Sequence, residues 1–270
     1  MVRAPAVAGS FYPGEPETLR REVTRLCGAG NGAGEGPAAI ALVAPHAGYV
    51  YSGRIAAAAY TGARLPDRYV ILCPNHTGTG EAVAVMDEGE WQTPLGASPI
   101  DTDLARAVIR GCRHARVDAR AHRREHALEV QLPFLQVLRP GFRFVPICVG
   151  TLHLPVLLDL GRAIAEAVRG AGGPVLTVIS TDLSHYIPAP AAGIQDRKAI
   201  ERLVAVDPEG LHRVVLEEAI NMCGVAPAVA GLEAARRLGA RAGRLLAYGH
   251  SGEASGDFGS VVGYAALLVA

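Results

Sequence analysis

The chain has 270 residues, half of them apolar, and its 26 Lys and Arg balance 26 Asp and Glu at a formal net charge of zero. That length is ample for a sizeable core, and the balanced charge argues against nucleic acid or an anionic membrane as a partner. The apolar runs are short and broken by Pro and Gly, and residues 1–16 lack the apolar core of a signal peptide. We therefore expect a cytoplasmic protein without a membrane span. The five cysteines are widely spaced without a CxxC pair, which disfavours a disulfide framework.

Strand-length apolar runs alternate with helix-length segments along the chain. Up to residue 150, the pattern predicts in chain order a helix over Glu17–Cys27 opened by Pro16, a Gly-rich loop over Ala29–Pro37, a strand over Ala39–Ala44, a helix over Gly53–Tyr60, a strand over Tyr69–Cys73, β segments over Ala82–Met86 and Glu90–Pro94, a helix over Asp101–Gly111, a helical segment over Glu125–Phe134 and a strand over Arg143–Val149.

The second part of the chain continues the same alternation. It predicts a helix over Leu154–Arg169, a strand over Pro174–Ser180, helices over Ala191–Ala205, Pro208–Leu216 and Val225–Leu238, and strands over Arg244–Tyr248 and Ser260–Val269. Alternating strands and helices are typical of an α/β fold. We expect a single α/β domain over residues 1–270, with a mostly parallel or mixed central sheet and helices on both of its faces.

Histidines follow five of the predicted strands, at positions 46, 76, 153, 185 and 250. In open α/β sheets, ligands collect beyond the carboxyl ends of the strands. A single histidine there is usually a hydrogen-bonded surface or core residue. Five of them, together with Asn75 and Asp182, predict a functional site at this edge of the sheet.

Metal binding is the most specific function that the residues at this edge suggest. Neutral imidazole is the commonest metal ligand, and His46 and His76 follow successive strands that we expect to be neighbours in the sheet. Cys223 precedes a predicted helix, whose N-terminus lowers the pKa of a nearby thiol. A thiolate favours Fe(II), Cu or Zn over Mg or Ca. No short motif fixes this geometry, and a thiol packed against the start of the helix is an equal alternative for Cys223.

Two other polar clusters have both a functional and a structural interpretation. In the STDLSHY stretch, on a turn or first helical turn, His185 would be a general acid or base and Asp182 its orienting partner. Alternatively, Asp182 caps a helix and His185 only packs. Glu125 and Glu129 would share one helix face beside His126. That face either brings His126 into the pocket or is solvated.

Six motifs resemble those of a known family. They are PHAGYVYSG, PNHTG, EHALEVQLPFL, STDLSHY, NMCGVAP and YGHSG with GSVVGYAA, and AGSFYPG near the N-terminus resembles the opening motif of the same family. Occurring in this order over nearly the whole chain, they resemble the Memo family, the protein B of bacterial and archaeal AmmeMemoRadiSam gene sets.

This resemblance implies the fold of class III extradiol dioxygenases of the LigB type, which are nonheme Fe(II) enzymes. It implies a mononuclear metal, Fe(II) first and Cu or Zn next, held by His46, His76 and Cys223, with the cysteine in place of the carboxylate of the dioxygenases. It assigns His185, with Asp182 beside it, to acid–base catalysis. It also implies radical-SAM and AMMECR-type partner proteins. A eukaryotic member binds phosphotyrosine peptides in this pocket.

Three functions are therefore expected, in decreasing order. The first is a dioxygenase-like oxidoreductase, in which the metal would carry the redox chemistry. The second is a binding module for a small molecule, a peptide or a partner protein. The third is a zinc hydrolase. In each case the expected pocket lining is Phe11, Tyr49, Tyr51, Asn75 and His126.

Overall fold

The computed structural model describes residues 1–28 and 36–270, so most of the predicted Gly-rich loop lies outside the described residues. The helices are α1 Pro16–Cys27, α2 Tyr49–Thr61, α3 Thr102–Gly111, α4 Leu132–Leu138, α5 Leu154–Arg169, α6 Ala189–Val204, α7 Pro208–Glu217, α8 Val225–Leu238 and α9 Gly252–Ser255, with a 3₁₀ turn at Glu129–Gln131. The strands are β1 Val2–Arg3, β2 Ala41–Ala44, β3 Arg68–Pro74, β4 Val83–Val85, β5 Glu90–Thr93, β6 Gly96–Pro99, β7 Ala115–Val117, β8 Arg143–Val149, β9 Leu176–Ser180, β10 His185–Ile187, β11 Gly243–His250 and β12 Val261–Val269.

A mixed sheet organises the fold. Within the described residues it has nine strands in the order β10-β12-β2-β9-β3-β8-β4-β7, with β11 also paired to β12. The strands β2, β9, β3 and β8 are parallel, and β12 and β4 flank them in antiparallel orientation. The small sheet β1-β5-β6 carries the N-terminus. The predicted α/β class, with one mixed sheet flanked by helices, is confirmed.

The parallel strands are buried on both faces, as their continuous apolar sequences predict. Residues 41–44 of β2 and 69–73 of β3 are fully buried. One group of contacting helices contains α1, α2 and α4, and a second contains α3, α5, α6, α7 and α8. A ligand can therefore approach these strands at their ends. Among the described residues, no helix combines the length and the apolar character needed to span a membrane.

The order of the strands differs from the expectation. We expected β2 and β3 to be neighbours, but β9 lies between them and pairs with both. The end of β9 therefore lies between those of β2 and β3, which places Asp182 between His46 and His76 along the edge.

Two predicted helices have different bounds. The first turn of α2 begins at Tyr49 rather than at Gly53, so Tyr49 and Tyr51 are helical. The segment Glu125–Phe134 is not one helix, because Pro133 allows a helix only to begin there. Proline lacks an N–H group, and its ring clashes with the carbonyl of the residue four positions earlier. Glu125 and Glu129 consequently do not share a helix face.

Candidate metal centre

Three ligand atoms converge beyond the ends of the parallel strands. His46 follows β2, His76 follows β3, and Cys223 lies two residues before α8. Their ligand atoms all lie within 4.8 Å of one another, and Nε2 of His46 lies 3.2 Å from Sγ of Cys223. Two imidazoles and a thiol form a donor set suited to Fe(II), Cu or Zn. The fold thus brings together the trio that the sequence suggested.

The tautomer of His46 is fixed by buried neighbours. Its Nδ1 lies 2.9 Å from Oγ of Ser180, whose own proton is donated to the carbonyl of Ala127 at 2.6 Å. Gln131 donates to the same oxygen at 2.8 Å. Because Ser180 has one proton, His46 must donate from Nδ1, which leaves the Nε2 lone pair for a metal. Burial, with the nearby histidines, lowers the pKa of His46 and keeps the ring neutral.

His76 is oriented by a buried carboxylate. Nδ1 of His76 lies 2.9 Å from Oε1 of Glu125, and its backbone N–H donates to Oε2 at 2.7 Å. An ionised carboxylate only accepts, so the Nδ1 proton is held and Nε2 faces the other ligands. Partial burial opposes a charge on His76, but the hydrogen bond and charge of Glu125 raise its pKa overall. A metal at this position would therefore have to compete with a proton.

Glu125 supports the site rather than supplying a ligand. With His76 and His126 it forms a second group of side chains close enough to hold an ion. Its oxygens, however, already accept the two bonds from His76 and a third from the N–H of Ala127 at 2.9 Å. Burial raises its pKa, but these contacts outweigh burial and lower the pKa overall. A carboxylate so occupied holds the imidazole in place.

The thiol of Cys223 contacts the backbone of Asp182. Its Sγ accepts from the N–H of Asp182 at 3.4 Å and lies 3.6 Å from the carbonyl of that residue. We expected the start of α8 to lower the pKa of this thiol. In the structure burial, followed by the charge of Asp182, raises it instead. The surroundings of Cys223 therefore favour the protonated thiol.

Asp182 and His185 lie at the same edge, Asp182 in the irregular segment after β9 and His185 at the start of β10. Oδ1 of Asp182 accepts from the N–H of His46 at 2.7 Å, so it positions a ligand segment and does not cap a helix of its own. Burial raises the pKa of Asp182 to about 6. His185 donates from Nδ1 to the carbonyls of Leu183 and Asn221, at 2.8 and 2.9 Å. Its Nε2 is thereby left as the basic atom.

A cleft of about 720 Å³ contains these groups. Its walls include Tyr51, which is 45% exposed, and Tyr186, which is 75% exposed and has a positive φ of 58°. Such a backbone angle is costly for a bulky residue and often marks a functional site. The other lining residues are Phe11, His46, Ala47, Gly48, His76, His126, Asp182, His185, Asn221, Cys223, Ser251, Ser255, Asp257, Ser260, Val262 and Tyr264.

Several predicted residues are placed elsewhere. Tyr49 does not line the cleft, because its ring packs 4.9 Å from Phe134 in the core and its hydroxyl donates to the carbonyl of Val130. Asn75 also lies outside the cleft, where its amide donates to the carbonyl of Thr79. Two of the five strand-end histidines, at positions 153 and 250, do not line the cleft either.

Phe11 and His126 form one wall of the cleft. Their ring centroids lie 4.8 Å apart, and His126 stacks on His76 at 4.6 Å. The segment that carries Phe11 is anchored by the buried Glu129. Its carboxylate accepts from Arg3, from the hydroxyl of Tyr12 at 2.6 Å and from the N–H groups of residues 6 and 7. The predicted alternative of a solvated face is wrong, since Glu125 and Glu129 are both fully buried.

The sequence matches the family described as Memo-like protein over residues 3–268. This chain belongs to the Memo-like family. It is 43% identical over 279 residues to a MEMO1 family protein of Methanopyrus kandleri, with 99% of each chain covered. One of Methanothermobacter thermautotrophicus is 42% identical over 276 residues, covering 99% of this chain and 100% of that one. One of Aquifex aeolicus is 40% identical over 268 residues, with 99% and 98% covered. The family membership expected from the motifs is confirmed.

A structural relative extends the likeness to the fold. The crystal structure of an uncharacterized protein from Escherichia coli K12 matches this Memo-like chain with a TM-score of 0.58. The match covers 84% of this chain and 98% of the Escherichia coli chain, at 15% sequence identity. At that identity the match describes the fold alone.

Sequence reasoning missed the supporting residues of this Memo-like site. Ser180 and Gln131 fix the tautomer of His46, and Glu129 anchors the segment of Phe11. Each lies inside or beside a motif noted above, but no local pattern shows which distant atom it contacts. A serine at the end of a mostly apolar strand, as at Ser180, was the one available signal.

Proposed function

We propose that this Memo-like protein binds one transition-metal ion through His46, His76 and Cys223 and is a nonheme oxidoreductase related to extradiol dioxygenases. The observation that carries the proposal is the hydrogen bonding of the two imidazoles. Each donates from Nδ1 to a buried acceptor, so both Nε2 atoms are free for a metal. Fe(II) is the first choice and Cu or Zn the alternatives, because the donor set combines nitrogen with a soft sulfur.

The protein's own groups would perform the remaining chemistry. A bound redox-active metal supplies the electron transfer. His185 would take a proton from a ligand at its Nε2 atom, since its Nδ1 proton is held by two carbonyls. Asp182 would keep the His46 segment in place through the backbone bond. Phe11 and His126 would cover the site from one side and restrict the access of water.

The thiol distinguishes this site from one with a carboxylate. Because burial raises the pKa of Cys223, metal binding would release its proton, and the affinity for metal would rise with pH. A thiolate ligand would be softer than a carboxylate and would change the redox potential of a bound ion. We therefore propose metal-dependent redox chemistry at this site rather than ring-opening dioxygenation.

A binding module is the second candidate function. The exposed Tyr51 and Tyr186 at the cleft support it, since exposed aromatic side chains are common anchors for ligands. The occupant would be a small molecule, a peptide or a cytoplasmic partner protein of the radical-SAM or AMMECR type. Recovery of such a partner with both wild type and Cys223→Ser would favour this function. A zinc hydrolase, the third candidate, would hydrolyse esters or amides with zinc alone and would be indifferent to O₂.

Elemental analysis of anaerobically purified protein tests the metal site. We expect one equivalent of Fe, Cu or Zn in wild type and in a His153→Ala control, whose histidine lies outside the cleft. His46→Ala should lose the metal. Equally low metal content in wild type and His46→Ala would reject the proposal. Oxygen consumption by the iron-loaded protein then separates redox chemistry from zinc hydrolysis.

A further inference from the structure

A second cleft lies beside the metal centre and has a different chemical character. It measures about 490 Å³ and is lined by Thr77, Thr79, Arg120, Arg123 and Arg124. We call it the arginine cleft. All three arginines are exposed, and they also border a neighbouring cleft formed with the N-terminal residues.

The guanidinium groups of the arginine cleft have no partners within the described part of the chain. Many other arginines of this protein pair with carboxylates, including Arg54 with Glu253 and Arg162 with Asp159. No hydrogen bond or ion pair from the side chains of Arg120, Arg123 or Arg124 occurs among residues 1–28 and 36–270. Three like charges in one cleft repel one another, and a bound anion would offset this repulsion.

The local positive charge does not reflect the composition of the chain. The whole protein has a formal net charge of zero, yet residues 120–124 carry three arginines. Asp118 is close, but its carboxylate oxygens accept from the backbone N–H groups of Glu81 and Arg120. The carboxylate of Glu125 is buried and occupied by His76. Among residues 1–28 and 36–270, neither carboxylate forms an ion pair with these guanidinium groups.

The threonines add polar surface to the same cleft. The hydroxyl of Thr77 donates to Oδ1 of Asn75 at 3.0 Å and is already used. The hydroxyl of Thr79 makes only a long bond, at 3.4 Å, to the carbonyl of Thr77, so it can turn toward a ligand at little cost. A guanidinium group can donate two parallel hydrogen bonds to two oxygens of a carboxylate or a phosphate.

We propose that the arginine cleft is an anion-binding site for a ligand carrying phosphate or carboxylate groups. It does not depend on the metal, because Arg120, Arg123, Arg124 and Thr79 supply the contacts. Both segments that line it continue into the metal cleft. Thr77 follows His76, and Arg124 lies two residues before His126. A ligand bound there lies beside the metal centre.

Calorimetric titration in phosphate-free, low-salt buffer tests this site. The probes are pyrophosphate and citrate, which distinguish phosphate from carboxylate recognition. We expect saturable binding of at least one probe, and a loss of about tenfold or more in affinity for the triple variant Arg120→Gln, Arg123→Gln, Arg124→Gln. Added salt should weaken the binding. Since these side chains are exposed, the thermal unfolding of the variant should match that of wild type.

Two controls keep this test separate from the metal site and from net charge. The first is a variant with glutamine at Arg64, Arg213 and Arg244, three exposed arginines outside the cleft, which should bind the probes as wild type does. The second is His46→Ala, which should retain binding. The proposal is overturned if neither probe binds saturably, if the arginine-cleft variant binds as tightly as wild type, or if binding disappears in His46→Ala.

Discussion

Two buried glutamates, four residues apart, have different tasks in this protein. Glu125 accepts from His76 and Ala127, and so holds a candidate metal ligand. Glu129 accepts from Arg3, Tyr12 and the backbone of residues 6 and 7, and so anchors the N-terminal segment. Both side chains are fully buried, and each contacts segments that are distant in sequence.

The two glutamates differ in the side chain that each one holds. Arg3 is a permanent cation, which also donates to the carbonyls of His122 and Glu125 and lies 4.2 Å above the ring of Trp91. Glu129 therefore forms a buried ion pair that fixes structure. His76 is partly exposed and is a candidate metal ligand, so Glu125 holds a side chain that a metal or a proton could reach. One short segment, residues 125–129, thus supports both the N-terminal segment and the candidate metal centre.

Glu129→Gln should have the largest effect, and the effect should be on stability. The substitution leaves the buried cation of Arg3 uncompensated, and breaking such a pair costs about 3–5 kcal/mol. Denaturant unfolding of the metal-free protein measures this loss. The affinity for metal should stay close to that of wild type, because Glu129 does not contact His46, His76 or Cys223. A change below 1 kcal/mol would contradict the structural task assigned to Glu129.

The two tasks also show what the sequence could and could not predict. The ends of β2, β3 and β9 were predictable from apolar runs, and they carry His46, His76 and Asp182 to one edge. The position of β9 between β2 and β3 was not predictable, because pairing between distant strands leaves no local pattern. The contact of Arg3 with Glu129 spans 126 positions and is equally hidden.

Burial also reversed some expectations about single residues. Tyr49 is an aromatic residue beside a ligand, yet the first turn of α2 directs it into the core. The helix start beside Cys223 suggested a lowered pKa, but desolvation of the thiol outweighs it. The family motifs named His46, His76 and Cys223 together, and the fold brings these three side chains within 4.8 Å of one another. Hydrophobic periodicity describes only the helices and strands and could not have grouped them.

Acid should lower the stability of the folded protein through His122, whose carbonyl accepts a bond from Arg3. Burial lowers the pKa of His122 to about 4, and the adjacent Arg3 cation adds to this shift. In the unfolded state, a histidine takes up its proton near pH 6.5. Between pH 6.5 and 4 the unfolded state therefore binds more protons than the folded state, and stability falls as the pH falls. The shift corresponds to about 3 kcal/mol, fully lost below pH 4.

The matched variant for this titration is His122→Gln, which keeps an N–H donor for the carbonyl of Ala84 but does not titrate. Wild type should lose about 3 kcal/mol more than this variant between pH 6.5 and 4, as measured by urea unfolding at each pH. Other titrating groups are common to both proteins and cancel in the difference. Parallel pH profiles for the two proteins would show that His122 does not carry the acid sensitivity.

Glu125→Gln should have the smallest effect, and it should appear in metal affinity. Glutamine keeps one acceptor oxygen. Its amide N–H₂ group, however, faces a donor of His76 or Ala127. The negative charge beside the imidazole is also lost. Removing an outer partner of a metal-binding histidine typically weakens binding about 10–100-fold, or about 1.4–2.7 kcal/mol. Chelator competition with Co(II) or Zn measures this affinity, and Glu129→Gln is its matched control. If both variants lose affinity equally, the two glutamates do not divide the tasks, and the whole loop acts on the metal as one unit.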